Sequence, residues 1–95
     1  MNLPQIEVFP ELDFVVEETA VYNLVVFNDD FNTFDHVIET LCRVCGHSIE
    51  QADQCAHIIH FKGKCSVKTG DWEKLAGMCT QICEAGLSAE VVAVS

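Results

Sequence analysis

Two regions of this chain gather residue types that can do chemistry. One is an acidic turn, Asn28-Asp29-Asp30, followed further on by His60. The other is a set of soft and nitrogen ligands, Cys42 and Cys45 at the two-residue spacing of many zinc sites, then His47, Cys55, His57 and His60. The ordinary use of the turn is to shape a loop and cap the next helix, which Asn and Asp do routinely. Its other use is to present polar side chains to a ligand from the end of a rigid strand. The Cys/His set allows a small structural zinc-binding or thiol-containing interaction module. Against this, Cys42 and Cys45 sit in a strongly helical stretch, and no strand leads into an exposed helix start that would lower a thiol pKa. As reduced core thiols they need no function. Serine nucleophile motifs, phosphate-binding loops and paired carboxylates with an attendant base are not evident, so the sequence offers no catalytic constellation and implies no cofactor.

The elements that must position these residues follow from periodicity and punctuation. Residues 21–27, Val-Tyr-Asn-Leu-Val-Val-Phe, read as a buried strand halted by the acidic turn. Asn32 or Thr33 can cap a helix whose apolar positions Phe34, Val37, Ile38, Leu41, Val44 and Cys45 recur at three- and four-residue spacing until Gly46. Ser48 with Gln51 forms a capping-box pattern opening a second helix, with Ile49, Ala52, Cys55, Ala56 and Ile59 inward and an end near His60. A short strand is expected at 65–68, a third helix from Asp71 through Trp72, Leu75, Met78, Cys79, Ile82 and Cys83 to Gly86, and a last strand at 91–94. This predicts an α+β domain, with three helices packed on one face of a small, mainly antiparallel three-stranded sheet, in the order β-α-α-β-α-β.

Composition bounds the partners. The 95 residues carry 15 Asp and Glu against 5 Lys and Arg, a formal charge of −10. That balance opposes phosphate-rich surfaces, so neither nucleic acid nor anionic membrane is an expected partner, whereas peptide amines and basic patches are attracted. No basic segment followed by an apolar one, and no apolar run of about 18 residues, marks export or membrane spanning, so the expectation is a cytoplasmic protein whose six cysteines stay reduced. Residues 1–20 hold Glu7, Glu11, Asp13, Glu17 and Glu18 between Pro4, Pro10 and a few apolar residues, and read as an acidic, largely flexible extension before a domain at 21–95.

From Tyr22 the chain resembles a known family, the Clp protease adaptor ClpS, which reads the N-terminal residue of degradation substrates. The resemblance rests on Tyr22-Asn23-Leu24-Val25-Val26-Phe27-Asn28-Asp29-Asp30-Phe31, then on Ile59-His60-Phe61-Lys62-Gly63-Lys64 at the family's separation, and it extends to about Val94. It implies that Asn28, Asp29 and His60 bind a ligand's α-amino group. An ammonium has three donors and no acceptor, so an amide oxygen, a carboxylate and a neutral imidazole nitrogen can satisfy all three. Asp30 is read as ordering the turn. The resemblance makes Phe34, Val37, Ala56 and Ile59 the apolar pocket, with Ala89 as a further contributor from the last segment, and bulky apolar first residues (Leu, Phe, Tyr, Trp) the ligands. It implies a ClpA- or ClpC-like AAA+ unfoldase as partner, met by Glu73. The sequence departs from the family pattern at Phe34, where Met is common, at Ala56, usually larger, at Asn32, usually Thr, and at Met78, usually Lys. An adaptor should bind a free peptide amine and lose it on acetylation, whereas a zinc module should purify with about one equivalent of metal.

Overall fold

In the computed structural model, which describes residues 20–94, the β-branched run forms strand β1 (Tyr22–Phe27). Its alternate residues Leu24 and Val26 are only 0% and 1% exposed, the two-residue side-chain period expected when one sheet face meets a core. The acidic extension lies, apart from Ala20, outside the described residues.

Helix α1 (Phe34–Cys45) starts where Thr33 Oγ1 accepts the His36 amide at 3.1 Å and stops at Gly46. Helix α2 (Ile49–Lys62) opens on a full capping box: Ser48 Oγ accepts from the Gln51 amide at 3.1 Å and Gln51 Oε1 from the Ser48 amide at 3.0 Å. Strand β2 (Lys64–Gly70) leads to helix α3 (Trp72–Glu84), whose first turn is capped by Asp71 Oδ1 accepting the Lys74 amide at 2.9 Å. Strand β3 (Ser88–Ala93) completes the order β-α-α-β-α-β.

The sheet runs β2-β1-β3 with both pairings antiparallel. The helices contribute Leu41, Ala52, Ile59, Leu75 and Ile82 to a core shared with Leu24, Val26 and Val67 of the strands. This is the α+β arrangement that the sequence predicts, with the most apolar strand at the centre.

The edges differ from expectation. Strand β2 extends beyond 65–68 at both ends, and β3 begins at Ser88 and finishes before Val94. Both border β1 on the outside of the sheet, and their added residues, such as Lys64, Thr69, Ser88 and Glu90, are recruited by backbone pairing rather than by hydropathy. Between Leu24 and Val25 the β1–β2 register slips, which leaves Val67 without a β1 partner. Two residues placed with the apolar positions of their helices are exposed: Ile49 is 71% exposed at the first position of its helix, and Cys83 is exposed with its thiol donating to the Ala89 carbonyl at 3.8 Å.

The zinc alternative finds no ligand set among the described residues. Cys45 is buried in the core, and that burial pushes its thiol pKa up. His47 Nε2 lies 2.7 Å from the Val67 carbonyl. Among the described residues no three His, Cys, Asp or Glu side chains come together as a metal site would require. No helix among them is long and apolar enough to cross a membrane.

Candidate functional site

Strand β1 ends at Phe27, and the chain that follows is tied down on both sides. The Asn28 amide donates to the Gly63 carbonyl at 2.9 Å, joining the end of β1 to the C-terminal cap of α2. Gly63 adopts φ 93°, a left-handed conformation that closes the helix without a Cβ penalty. His60 stands in the last turn of that helix. One backbone hydrogen bond therefore brings two sequence-distant polar residues, Asn28 and His60, to the same lip.

The turn itself is ordered by Asp29. Its Oδ1 accepts the amides of Phe31 and Asn32, each at 2.8 Å, and its Oδ2 accepts Asn32 Nδ2 at 2.7 Å. Asp30, read from the sequence as the turn support, makes none of these bonds and is exposed. The role moves to Asp29 because an Asx carboxylate reaches the amides two and three residues ahead of itself. Burial pushes the Asp29 carboxyl pKa up, but the hydrogen bonds from Asn32 and Phe31, with His36 nearby, outweigh it and hold the group below the ordinary aspartate value. The site therefore keeps a fixed negative charge with its acceptor oxygens already oriented.

Asn32 also donates to the Gly86 carbonyl at 3.0 Å, and His36 Nε2 lies 2.8 Å from the Ala85 carbonyl. Together they clamp the acidic turn and the start of α1 to the connection between α3 and β3.

The residues singled out in the sequence meet around one cavity of about 310 Å³. Asn28, Asp29, Asp30 and His60 form its polar side, and Phe34, Val37, Ala56 and Ile59 its apolar side. Ala56 and Ile59 are almost fully buried, whereas Phe34 and Val37 are half-buried. Asn32 and Thr33 complete the lining. Sequence reasoning treated these two only as caps and a family departure, although an Asp in a turn commonly bonds the backbone just ahead of it and so orders the residues that follow. A narrow void of about 20 Å³ beneath the turn reaches Val26 and Leu87. Ala89, the expected contributor from the last segment, does not line the cavity; it pairs with Val26 in the sheet, and Leu87 lies nearer. Glu73 is exposed in the first turn of α3, at the end of the sheet where Gly70 pairs with Tyr22, opposite the end that carries Asn28.

Chemically the arrangement is a concave chamber with an apolar side and with a carboxylate, an amide and an imidazole on its polar side. It is suited to a ligand with a cationic or donor-rich head and an apolar tail.

A family model described as ATP-dependent Clp protease adaptor protein ClpS matches residues 17–90. The ATP-dependent Clp protease adapter protein ClpS of Nostoc sp. is 35% identical over 68 residues, covering 70% of this chain and 70% of that protein. Its counterpart from Thermosynechococcus vestitus is 32% identical over 68 residues, covering 70% and 72%. That of Vibrio atlanticus is 41% identical over 49 residues, 52% of this chain, and the matched stretch spans just under half of the Vibrio protein, 46%. Among solved structures, Agrobacterium tumefaciens ClpS2 bound to L-phenylalaninamide shares the fold with a TM-score of 0.74 at 18% identity, over 79% of this chain and 98% of that one.

Proposed function

Since this chain belongs to the ClpS family of Clp protease adaptor proteins, we propose that it is a non-catalytic adaptor that binds the free N-terminal residue of degradation substrates and delivers them to a Clp AAA+ unfoldase. The observation that carries the reading is the convergence of Asn28, Asp29 and His60 at the rim of a chamber walled by Phe34, Val37, Ala56 and Ile59. The substrate's α-ammonium donates one proton each to the Asn28 side-chain oxygen, the Asp29 carboxylate and the neutral His60 ring. The Asn28 backbone amide is already engaged by Gly63, which leaves its side chain for the ligand. Asp29 accepts three bonds within its turn, and a carboxylate has about four acceptor positions, so one remains. Each charge-assisted bond contributes ~1.5–3 kcal/mol.

The first side chain descends between Phe34 and Ala56. Burying a large apolar group there contributes ~1.5–3 kcal/mol, which selects Leu, Phe, Tyr or Trp over small or charged first residues. The related protein bound to L-phenylalaninamide supports this reading, since that ligand offers a free α-amine and an aromatic side chain. Delivery is assigned to a ClpA- or ClpC-like unfoldase approaching Glu73. Because Glu73 is at the far end of the sheet, docking there leaves the cavity mouth open. Met78, where the family commonly has Lys, packs against the core and presents no cation, so the contact in this chain relies on other groups.

The test is fluorescence-polarisation binding of two labelled peptides that begin with Phe or Leu and differ only in N-terminal acetylation. The free-amine peptide is expected to bind, the acetylated one not, and Asp29→Asn to weaken binding by roughly ten- to a hundredfold, since it puts an NH2 donor where the carboxylate Oδ2 accepted. Equal binding of both peptides, or binding that Asp29→Asn leaves intact, would refute recognition through the α-amine.

A further inference from the structure

Four aromatic rings close into a cycle at one lip of the cavity. Phe34 meets His57 edge-on with ring centres 5.0 Å apart, and His60 edge-on at 5.4 Å. His60 in turn meets Phe61 edge-on at 5.0 Å, and His57 lies parallel to Phe61, 6.2 Å away and tilted by only 6°. Only Phe34 and His60 line the cavity. His57 and Phe61 stand outside it, and Phe61 is 76% exposed.

That exposure excludes a core-packing role for Phe61, because a ring left mostly in water gains little from burial. What it touches is the pair of imidazoles. The other two structured histidines whose rings approach the backbone, His36 and His47, are fixed by carbonyls 2.8 Å and 2.7 Å from Nε2. Among the described residues His60 has no such hydrogen bond, yet its ring must point a nitrogen at the cavity. The aromatic contacts that can set its orientation are the near-perpendicular pairings with Phe34 and Phe61. His57 is steadied from its other side by Asp53 Oδ1, 3.5 Å from Nε2, and lies one helical turn from both His60 and Phe61, the spacing that makes neighbours on a helix face.

We infer that His57 and Phe61 are positioning residues: without entering the cavity they hold the His60 imidazole and the Phe34 wall in the geometry that receives an N-terminal residue. The inference rests on the N-terminal-recognition reading of the cavity, and it specifies what preorganises that site. Phe34 is then a braced wall rather than a mobile one, and the two exposed rings determine selectivity at a distance.

The experiment has two arms on the full chain. In the first, the His60 ring proton resonances are recorded by NMR without ligand in wild type, Phe61→Ala, His57→Ala and Phe61→Tyr. Ring currents from Phe34 and Phe61 are expected to displace the wild-type signals, Phe61→Ala to return them toward free-imidazole positions, and Phe61→Tyr to retain them. In the second, free-amine peptides beginning with Phe and with Leu are titrated against the same variants and against Gln54→Ala, an exposed change on the same helix. Affinity for both peptides is expected to fall about five- to twentyfold in Phe61→Ala and His57→Ala, with an altered Phe-to-Leu ratio and an unchanged melting temperature, and to recover within twofold in Phe61→Tyr. His60 signals indifferent to Phe61→Ala, or Phe61→Tyr binding as weakly as Phe61→Ala, would overturn the positioning role. Displaced His60 signals in a wild type that binds neither peptide would uphold the positioning of the ring and overturn the ligand reading alone.

Discussion

Before any ligand arrives, the Asp29 carboxylate accepts three hydrogen bonds from inside its own turn. Its titration and its structural role are therefore coupled. Its pKa lies below the ordinary value, since the hydrogen bonds outweigh desolvation, whereas in the unfolded chain it returns to ~3.9. A group with a depressed folded pKa stabilises the fold fully above the unfolded value and loses that contribution as pH falls through the folded one. Stability is therefore expected to decline on acidification below pH ~4, and the decline in Asp29→Asn to be shallower, because the proton-linked part has been removed. A carboxyl-detected NMR titration placing the Asp29 midpoint at or above the ordinary aspartate value would contradict this. Asp29→Ala differs in kind: it deletes every acceptor and is expected to cost about 1–2 kcal/mol of stability in addition to binding. Asp29→Asn disturbs the turn less, because it can keep one oxygen for the Phe31 and Asn32 amides and gives up only the bond from Asn32 Nδ2.

At the scale of elements, the site depends on how α2 ends. Gly63 closes the helix at φ 93° while its carbonyl receives the Asn28 amide. A Cβ added there would meet nothing within 4 Å, so the cost of Gly63→Ala is backbone conformation alone, ~1–2 kcal/mol. The mid-helix Gly77 of α3 also has nothing within 4 Å of an added Cβ, but it carries ordinary helical geometry, so Gly77→Ala should stabilise by ~0.5–1 kcal/mol. Thermal denaturation should show the two melting temperatures moving in opposite directions, by ~4–8 °C per kcal/mol for a domain this size; shifts of the same sign would mean that Gly63 carries no strain. Elements of this kind are legible in a sequence because their signals are local: Thr33, the Ser48/Gln51 box and Gly46 each act within one helical turn. Strand β2 was legible only in its middle and β3 only in its C-terminal half. Their outer residues owe their conformation to pairing with β1, a long-range partner that leaves no mark on Lys64 or Ser88. The site was legible to a similar degree. The family resemblance groups Asn28, Asp29 and His60, which do line one cavity, but the transfer of turn support from Asp30 to Asp29, the Asn32 clamp on Gly86 and the absence of Ala89 from the lining depend on side-chain directions that only tertiary packing fixes.

Across the whole molecule, the cavity lies where β1 ends and Glu73 where it begins. Six residues at ~3.3 Å each make β1 about 20 Å long, so on the proposed reading a substrate and an unfoldase would meet opposite ends of this strand. Half of the formal charge of −10 comes from the five carboxylates before Thr19, where no Lys or Arg offsets them in the sequence. Such a field changes how fast a peptide arrives more than how tightly its first residue is held, because approach is governed by long-range potential and residence by desolvated contacts in the cavity. Two Phe-initiated peptides with identical first residues but a basic or an acidic body should therefore separate kinetically. Raising salt from ~50 to ~500 mM shortens the screening length from about 14 Å to about 4 Å, and should slow association of the basic peptide by about tenfold while speeding that of the acidic one. Dissociation of both should change less than twofold. Stopped-flow fluorescence resolves the two rates, and a salt effect residing in dissociation would place the dominant charge contact inside the cavity, at Asp29 and Asp30, rather than in the field of the whole chain.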